Sequence, residues 1–168
     1  ITGYTATATS NNVAVATCAT TGAATLTCDI SALTDGSGNL TNGTIYSITV
    51  VASNSAGGSN ASAAASGTPA SVPGAPSSVA GTAGLGQVNV TWELPSQTGG
   101  SDLTNHRVVT SPGGAFCDTG DGDTTTCTVT GLDNGTAYTF QVTATNAIGD
   151  GTASSASAAV TTYTTPGA

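Results

Sequence analysis

The sequence has 168 residues and a formal net charge of −8, because it contains nine acidic residues and one basic residue, Arg107. This charge excludes nucleic acid as a partner, since phosphate binding needs several Lys or Arg to displace counterions, and it disfavours an anionic membrane surface. No apolar run is long enough to span a bilayer, so we expect no membrane insertion.

Large apolar residues are few, but they alternate with polar residues. Only 27 residues are Leu, Ile, Val or Phe, a composition that by itself is typical of disordered chains. In chain order, alternation occurs at residues 88–92, 127–130 and 138–144, and this period of two predicts half-buried β-strands. No segment has helical spacing, and Gly and Pro recur frequently. The sequence therefore predicts an all-β fold with the strand spacing of a sandwich or barrel.

An internal repeat divides the sequence. Residues 42–50 (NGTIYSITV) match residues 134–142 (NGTAYTFQV) at an offset of 92, and residues 1–4 match residues 103–106. Each copy also contains two cysteines ten residues apart. The first copy carries an insertion of seven residues within roughly 33–39. The repeat length predicts two small sandwich domains.

The second copy resembles a fibronectin type III module of the kind found in tandem in secreted bacterial proteins. Residues 72–76 (VPGAP) resemble the family's linker and the start of strand A, and residues 88–92 (VNVTW) resemble strand B with its core Trp. Residues 99–103 (GGSDL) resemble the turn into strand C. Leu132 and Tyr138 have the spacing of the tyrosine corner, in which the Tyr hydroxyl bonds to nearby backbone.

The resemblance implies immunoglobulin-like (fibronectin type III) β-sandwiches in tandem, the first lacking strands A and B. The implied domains are a partial module with strands C to G at residues 1–68, a Pro-rich linker and start of strand A at 69–76, a complete module at 77–163 and the start of a further linker at 164–168. In the complete module, we expect strands near 77–82, 87–94, 103–110, 114–118, 124–130, 137–146 and 153–162. We expect its core to contain Trp92, Leu132, Tyr138, Phe140 and Val142.

The four cysteines fall at matching places of the two implied modules. Cys18 and Cys117 lie in the short strand after strand C, and Cys28 and Cys127 lie in strand E. In each copy the two cysteines flank a turn that contains Gly, and residues placed opposite one another in a hairpin are close enough for a disulfide. We therefore expect the bridges Cys18–Cys28 and Cys117–Cys127, which place the protein outside the cytosol.

Two acidic segments are weak candidates for calcium binding. Asp118, Asp121 and Asp123 lie on one short loop and could supply oxygen ligands, although no bidentate Glu follows at the required spacing and we expect a solvated acidic turn instead. Residues 35–39 faintly resemble the start of an EF-hand loop, but Leu40 occupies the place of the required Gly. We expect no other metal and no cofactor.

No catalytic constellation is recognisable. His106 and Arg107 are adjacent, and His106 is expected to be a satisfied, partly buried imidazole while Arg107 faces out near a carboxylate. Glu93 is the only Glu, which leaves little material for a paired-carboxylate site. Nucleophile and nucleotide-binding motifs are also absent from the sequence. We therefore expect a protein that is not an enzyme.

Three functions remain open. The first is a non-catalytic structural module of an extracellular or cell-surface filament, stalk or adhesin, with further modules of the same chain and copies of itself in a polymer as partners. The second is a spacer or accessory domain of a secreted polysaccharide-degrading enzyme. The third is a carbohydrate- or protein-binding module, for which only Phe116, Tyr163 and Tyr4 are available as exposed aromatic residues.

The implied lack of strands A and B has a physical consequence. Without them the inner faces of Tyr46, Ile48, Val50, Leu26 and Ile30 are expected to be open to water. Each such side chain contributes about 1.5–3 kcal/mol when buried. We therefore expect this face to be covered, either by the rest of the module or by strands of a neighbouring chain.

Overall fold

The computed structural model describes residues 1–33 and 38–164, and the chain divides into two compact units, Ile1–Pro69 (unit 1) and Ala70–Ala168 (unit 2). All regular elements among these described residues are β-strands, so the predicted all-β class is confirmed. The same residues contain no helix with the length and apolarity that crossing a membrane requires. Most of the EF-hand-like segment 35–39 and of the expected linker 164–168 lies outside the described residues.

Unit 1 consists of one antiparallel sheet. Its strands are β1 (Gly3–Ser10), β2 (Val13–Thr21), β3 (Tyr46–Asn54), β4 (Gly57–Gly58) and β5 (Ala65–Gly67). The strand order is β2-β1-β3-β4, and β5 also pairs with β3.

The central hairpin of unit 1 has a local cause in the sequence. Asn11 and Asn12 connect β1 to β2 and both have positive φ, 49° and 63°. Asn tolerates this conformation, and a two-residue turn of this kind matches the twist of the flanking strands. The core beneath the sheet is small and consists of Ala8, Ala16 and Tyr46 with partly buried neighbours.

Cys28, which the sequence placed in a strand, lies in an irregular segment instead. Residues 25–31 form no strand, although their alternation resembles that of residues 124–130 in unit 2. A strand needs a neighbour to satisfy its backbone groups. No strand among the described residues of unit 1 pairs with this segment, although the Leu40 N–H donates to the Ser31 carbonyl at 2.8 Å.

Unit 2 is a two-sheet sandwich. Its strands are β6 (Ser77–Ala83), β7 (Gln87–Glu93), β8 (Leu103–Ser111), β9 (Phe116–Asp118), β10 (Thr126–Thr130), β11 (Ala137–Asn146), β12 (Gly149–Asp150) and β13 (Val160–Thr161). One sheet has the order β10-β7-β6. The other has the order β12-β11-β8-β9, with β13 also paired to β11.

The core of unit 2 lies between these sheets and confirms the predicted set. Trp92, Leu132, Tyr138, Phe140 and Val142 are buried in one cluster. Val88, Val90, Val108 and Val129 complete it. Alternate residues of β7 and β11 point inward, as the period of two requires.

The predicted strand at 153–162 is wrong over most of its length, because only Val160–Thr161 pairs as a strand. Ser154 and Ser157 instead bond to every second residue of β11. The Ser154 N–H donates to the Val142 carbonyl and the Val142 N–H donates to Ser154 Oγ, each at 2.9 Å. Every three residues of this segment thus stand opposite two residues of β11, which is a repeated β-bulge.

The Pro-rich segment at 69–76 is largely folded into unit 2. Pro73 is fully buried, and the Gly74 N–H donates to the Gln97 carbonyl at 2.8 Å. The Ser71 N–H donates to the Gly99 carbonyl at 2.8 Å. Gly99 has φ of +78°, and a Cβ there would overlap the Ser71 carbonyl, so Gly is required.

Candidate functional site

The structure joins the four cysteines in two pairs. Cys117 on β9 is bonded to Cys127 on β10, with a Cα–Cα distance of 6.3 Å. These two strands belong to different sheets and not to one hairpin, as the sequence suggested, so the bond fastens the sheets together at one edge. Cys18 on β2 is bonded to Cys28, with a Cα–Cα distance of 6.0 Å, and this bond ties the irregular segment 25–31 to the sheet of unit 1.

Asp118, the first calcium candidate, forms an ion pair with Arg107. Arg107 Nε and Nη2 donate to its two carboxylate oxygens at 2.8 Å each. Asn105 Nδ2 donates to one of them at 3.2 Å. The Arg107 hydrogen bonds lower the pKa of Asp118 and raise that of Arg107. Both side chains are solvent-exposed, so the pair contributes little to stability.

Asp121, the second calcium candidate, stabilises its own turn. Its carboxylate accepts hydrogen bonds from the N–H groups of Asp123 and Thr124, at 3.0 and 2.7 Å, and from Thr124 Oγ1 at 2.9 Å. The bond from the Thr124 N–H is the largest cause that lowers the pKa of Asp121. The structure does not gather Asp118, Asp121 and Asp123 into a metal site, and no group of three potential ligands occurs in residues 1–33 and 38–164.

His106 differs from the expected satisfied imidazole. It is fully buried, and neither ring nitrogen makes a hydrogen bond to a described residue. Its ring lies 5.5 Å from the Trp92 ring, whose Nε1 is also without a hydrogen-bond partner there. Burial lowers the pKa of His106, although the nearby Asp121 partly opposes this shift. An imidazole that is fully buried and packed beside Trp92 is a core residue of unit 2.

The aromatic residues considered for ligand binding belong to both units. Phe116 and Tyr163 are exposed, and the Arg107 guanidinium lies 4.8 Å from the centre of the Phe116 ring. Tyr4 is half-buried in unit 1. An Arg over the ring is a cation–π contact that contributes modestly at an exposed site.

The tyrosine corner is present in both units. The Asp133 N–H donates to the Tyr138 hydroxyl oxygen at 3.0 Å, and the Thr41 N–H donates to that of Tyr46 at the same distance. Tyr46 and Tyr138 are both buried. Each hydroxyl therefore satisfies a backbone group at the bend before the strand.

Asn146 is a structural residue that the sequence reasoning missed. It is buried, and its Nδ2 donates to the carbonyls of Ser71 and Thr98 at 2.8 Å each. Its Oδ1 accepts from the N–H groups of Ile148 and Gly149 at 2.9 and 3.3 Å. The repeated Asn-x-x-Gly at residues 146–149 and 54–57 was the signal in the sequence that could have identified it.

Comparison with known proteins identifies the family. The sequence profile of the fibronectin type III domain matches residues 74–161, just over half of the chain, and the chain belongs to this family. No curated protein sequence matches the chain. Fibronectin type III domains are typically non-catalytic and are commonly structural or adhesion modules.

A solved structure of titin domains supports the fold. A crystal structure of domains A168-A170 from titin is 26% identical, with a TM-score of 0.55, over 77% of this chain and 44% of that chain. The FN1-FN3 domains of chicken CNTN1 are 15% identical, with a TM-score of 0.48, over 96% of this chain and 56% of that chain. The chain thus spans less than two thirds of the length of these structures.

Proposed function

We propose that the chain is a non-catalytic structural module of an extracellular or cell-surface filament, stalk or adhesin of a bacterium. The observation that carries this proposal is the presence of one disulfide in each unit, Cys18–Cys28 and Cys117–Cys127. Disulfides persist in oxidising compartments and are rare in the cytosol. Each closes a short loop and contributes about 2–3 kcal/mol in the chain-entropy model.

The position of the single basic residue supports a role outside the cell, where proteases are present. Arg107 is the only residue in the chain after which trypsin could cut. It lies within β8, where it is paired with Thr143 of β11 and with Asp118 of β9. A backbone held between two strands is a poor protease substrate, because cleavage requires local unfolding. Such a module suits a surface that meets extracellular proteases.

A structural module of a filament or stalk needs partners that lengthen it. We propose further modules of the same protein, and copies of it in a polymer, as those partners. The role requires no cofactor and no nucleic acid. Calcium would have to displace the Arg107 ion pair to use Asp118, and this competition argues against a calcium-dependent role.

Immunogold electron microscopy of intact cells, with an antibody raised against residues 70–168, tests the proposal. We expect labelling along structures outside the cell envelope, and an antibody against a cytosolic protein provides the control. Labelling found only after permeabilisation would contradict the proposal. Recovery of the epitope in a soluble polysaccharide-degrading enzyme would instead support the spacer function.

A further inference from the structure

The strand β2 of unit 1 has a side that faces no other strand. It stands at the end of the strand order β2-β1-β3-β4 and pairs with β1 along its other side. No strand among residues 1–33 and 38–164 pairs with the side away from β1. Over residues 16–21 the register with β1 has no shift, and we call the free side of this stretch the β2 edge. The backbone groups of a free edge form a template for pairing with another strand.

The direction of the hydrogen bonds identifies the residues that point to the β2 edge. The Tyr4 N–H donates to Thr20 Oγ1 at 3.2 Å, so the Tyr4 backbone points towards β2. Tyr4 and Thr20 are partners in the register, and the Thr20 backbone therefore points back to β1. Because these directions alternate along a strand, the N–H and C=O groups of Thr17 and Ala19 point away from β1. Both residues are exposed.

The composition of β2 favours pairing at this edge. The strand reads VAVATCATT and contains no charged residue and no Pro. Natural proteins commonly use such residues to prevent the pairing of edge strands. Four of its nine residues are Val or Thr in the first five and last two positions alone, and β-branched residues of this kind suit a pleated strand.

The opposite side of the same sheet is closed to a further strand. The Ser59 N–H donates to the Ala52 carbonyl at 2.8 Å, and the Ala52 N–H donates to Ser59 Oγ at 3.1 Å. Ser62 makes the same pair of hydrogen bonds with Val50, at 2.9 and 3.0 Å. This is the repeated β-bulge that residues 154–157 form in unit 2. A bulged segment interrupts the hydrogen-bond ladder, so it offers no regular edge.

The strand of unit 2 that corresponds to β2 is protected. This strand, β9, has only three residues, Phe116–Asp118. It ends on the charged Asp118, which is bonded to Arg107. The sandwich of unit 2 therefore forms without a long strand at this position, and the length of β2 is not a requirement of the fold.

The edges of the other sheet of unit 2 also carry protection. In β6 the register shifts between Ser77 and Ala80, and Ser78 has a φ of 54°. β10 has five residues and follows the loop that contains Asp121 and Asp123. Bulges, short strands and charges all discourage pairing between edges. Within the part of the chain that the structure describes, the β2 edge is the regular edge that lacks these devices.

The distribution of charge allows two copies of unit 1 to approach each other. Asp29 and Asp35 are the acidic residues of unit 1, and the other seven of the nine belong to unit 2. Repulsion between copies is therefore weakest at unit 1. Two β2 edges placed side by side bring no charged side chain of β2 opposite another.

We propose that the β2 edge binds the β2 edge of a second copy of the chain, as an antiparallel pair that joins the two unit 1 sheets into one. Identical strands that pair around a two-fold axis use the same surface on both copies, so the contact closes as a dimer. The edge is available in both copies, because no described strand pairs with it. The inference deepens the proposed function and rests on its contact between copies of the chain. Immunogold labelling tests the location, whereas the experiment below tests the contact, so each can fail alone.

Sedimentation equilibrium and amide exchange of the full chain test the proposal. We expect a dimer whose fraction rises with concentration. In the dimer, exchange of the Thr17 and Ala19 amides should slow by about tenfold or more relative to a dilute sample. The Cys18 and Thr20 amides point to β1 already, so their exchange should change much less. A mixture of isotope-labelled and unlabelled copies should give contacts between the β2 strands of different copies.

Variants at the edge separate strand pairing from other modes of association. A19P removes an N–H that points away from β1, and Pro is tolerated at such positions of edge strands, so we expect a folded monomer. A19T keeps the N–H and should leave the dimer intact. The double variant T17K/A19K keeps both N–H groups but brings like charges together, and it should raise the dissociation constant of the dimer about tenfold or more. S47K is its control, because Ser47 is exposed on the same face but lies on β3, inside the sheet.

The folded state of each variant is measured in the same samples. Protection of the Cys18 amide reports on unit 1, and fluorescence of the buried Trp92 reports on unit 2. A wild-type chain that sediments as a monomer at every concentration would overturn the proposal. A dimer that T17K/A19K forms as tightly as wild type, with unit 1 folded, would also overturn it, because another surface would then join the copies.

Discussion

Replacing His106 by Phe tests the consequence of burying an imidazole without a hydrogen-bond partner. Because burial lowers the pKa of His106, the unfolded chain takes up the proton more readily than the folded chain. The free energy of unfolding of unit 2 is then highest above the ordinary His pKa of 6.5. It falls as the pH drops from this value towards the folded-state pKa.

The size of this loss in the free energy of unfolding follows from the fully buried position of His106. If the imidazole stayed neutral in the folded state, the loss between pH 7 and pH 5 would be about 2 kcal/mol. This is an upper limit, because Asp121 favours the charged form. Asp118 and Asp121 have lowered pKa values, so their contributions are lost only at more acidic pH, below their ordinary value of 3.8.

Urea unfolding monitored by tryptophan fluorescence provides the assay. Trp92 is the only Trp in the chain and lies in the core of unit 2, beside His106, so its signal reports on this unit. We expect wild type to lose stability between pH 7 and pH 5 and H106F to lose much less. The same pH dependence in both proteins would refute the reasoning.

Three further predictions concern stability. Trp92→Ala should lower the free energy of unfolding by about 3–5 kcal/mol, measured by calorimetry, because it removes a large core side chain. N146A should cost about 2–3 kcal/mol in urea unfolding, because buried backbone groups lose their partners, whereas the exposed N54A should cost less than about 0.5 kcal/mol. Calcium should leave the melting temperature of unit 2 unchanged relative to EDTA, because Asp118 is held by Arg107; a marked rise would contradict this reading.

The sequence predicted the elements whose signal is local. The alternation in β7 and β11 identified the strands and the inward direction of Trp92 and Phe140. The tyrosine-corner spacing identified the buried Tyr138. These features depend only on the period of two and on short-range turn chemistry. The expectation that the inner face of Tyr46 is open to water is wrong, because Tyr46 is buried in a cluster with Ala8 and Ala16.

The sequence did not predict the features that depend on residues far away in the chain. The family resemblance predicts a strand at 153–162, yet the hydroxyls of Ser154 and Ser157 accept hydrogen bonds from the N–H groups of β11, and this bulged pairing has no simple sequence period. The burial of His106 without a partner depends on the packing of Trp92 from another sheet. Residues 25–31 are irregular because the neighbouring strand, and not their own sequence, decides whether a strand forms.

The state of the four cysteines in protein taken from its natural source tests the central claim most directly. The material is lysed in an alkylating buffer, and its peptides are analysed by mass spectrometry with and without reductant. An extracellular structural module should yield the linked peptides Cys18–Cys28 and Cys117–Cys127, with no alkylated cysteine before reduction. Four alkylated cysteines in the unreduced sample would place the protein in a reducing compartment and contradict the account.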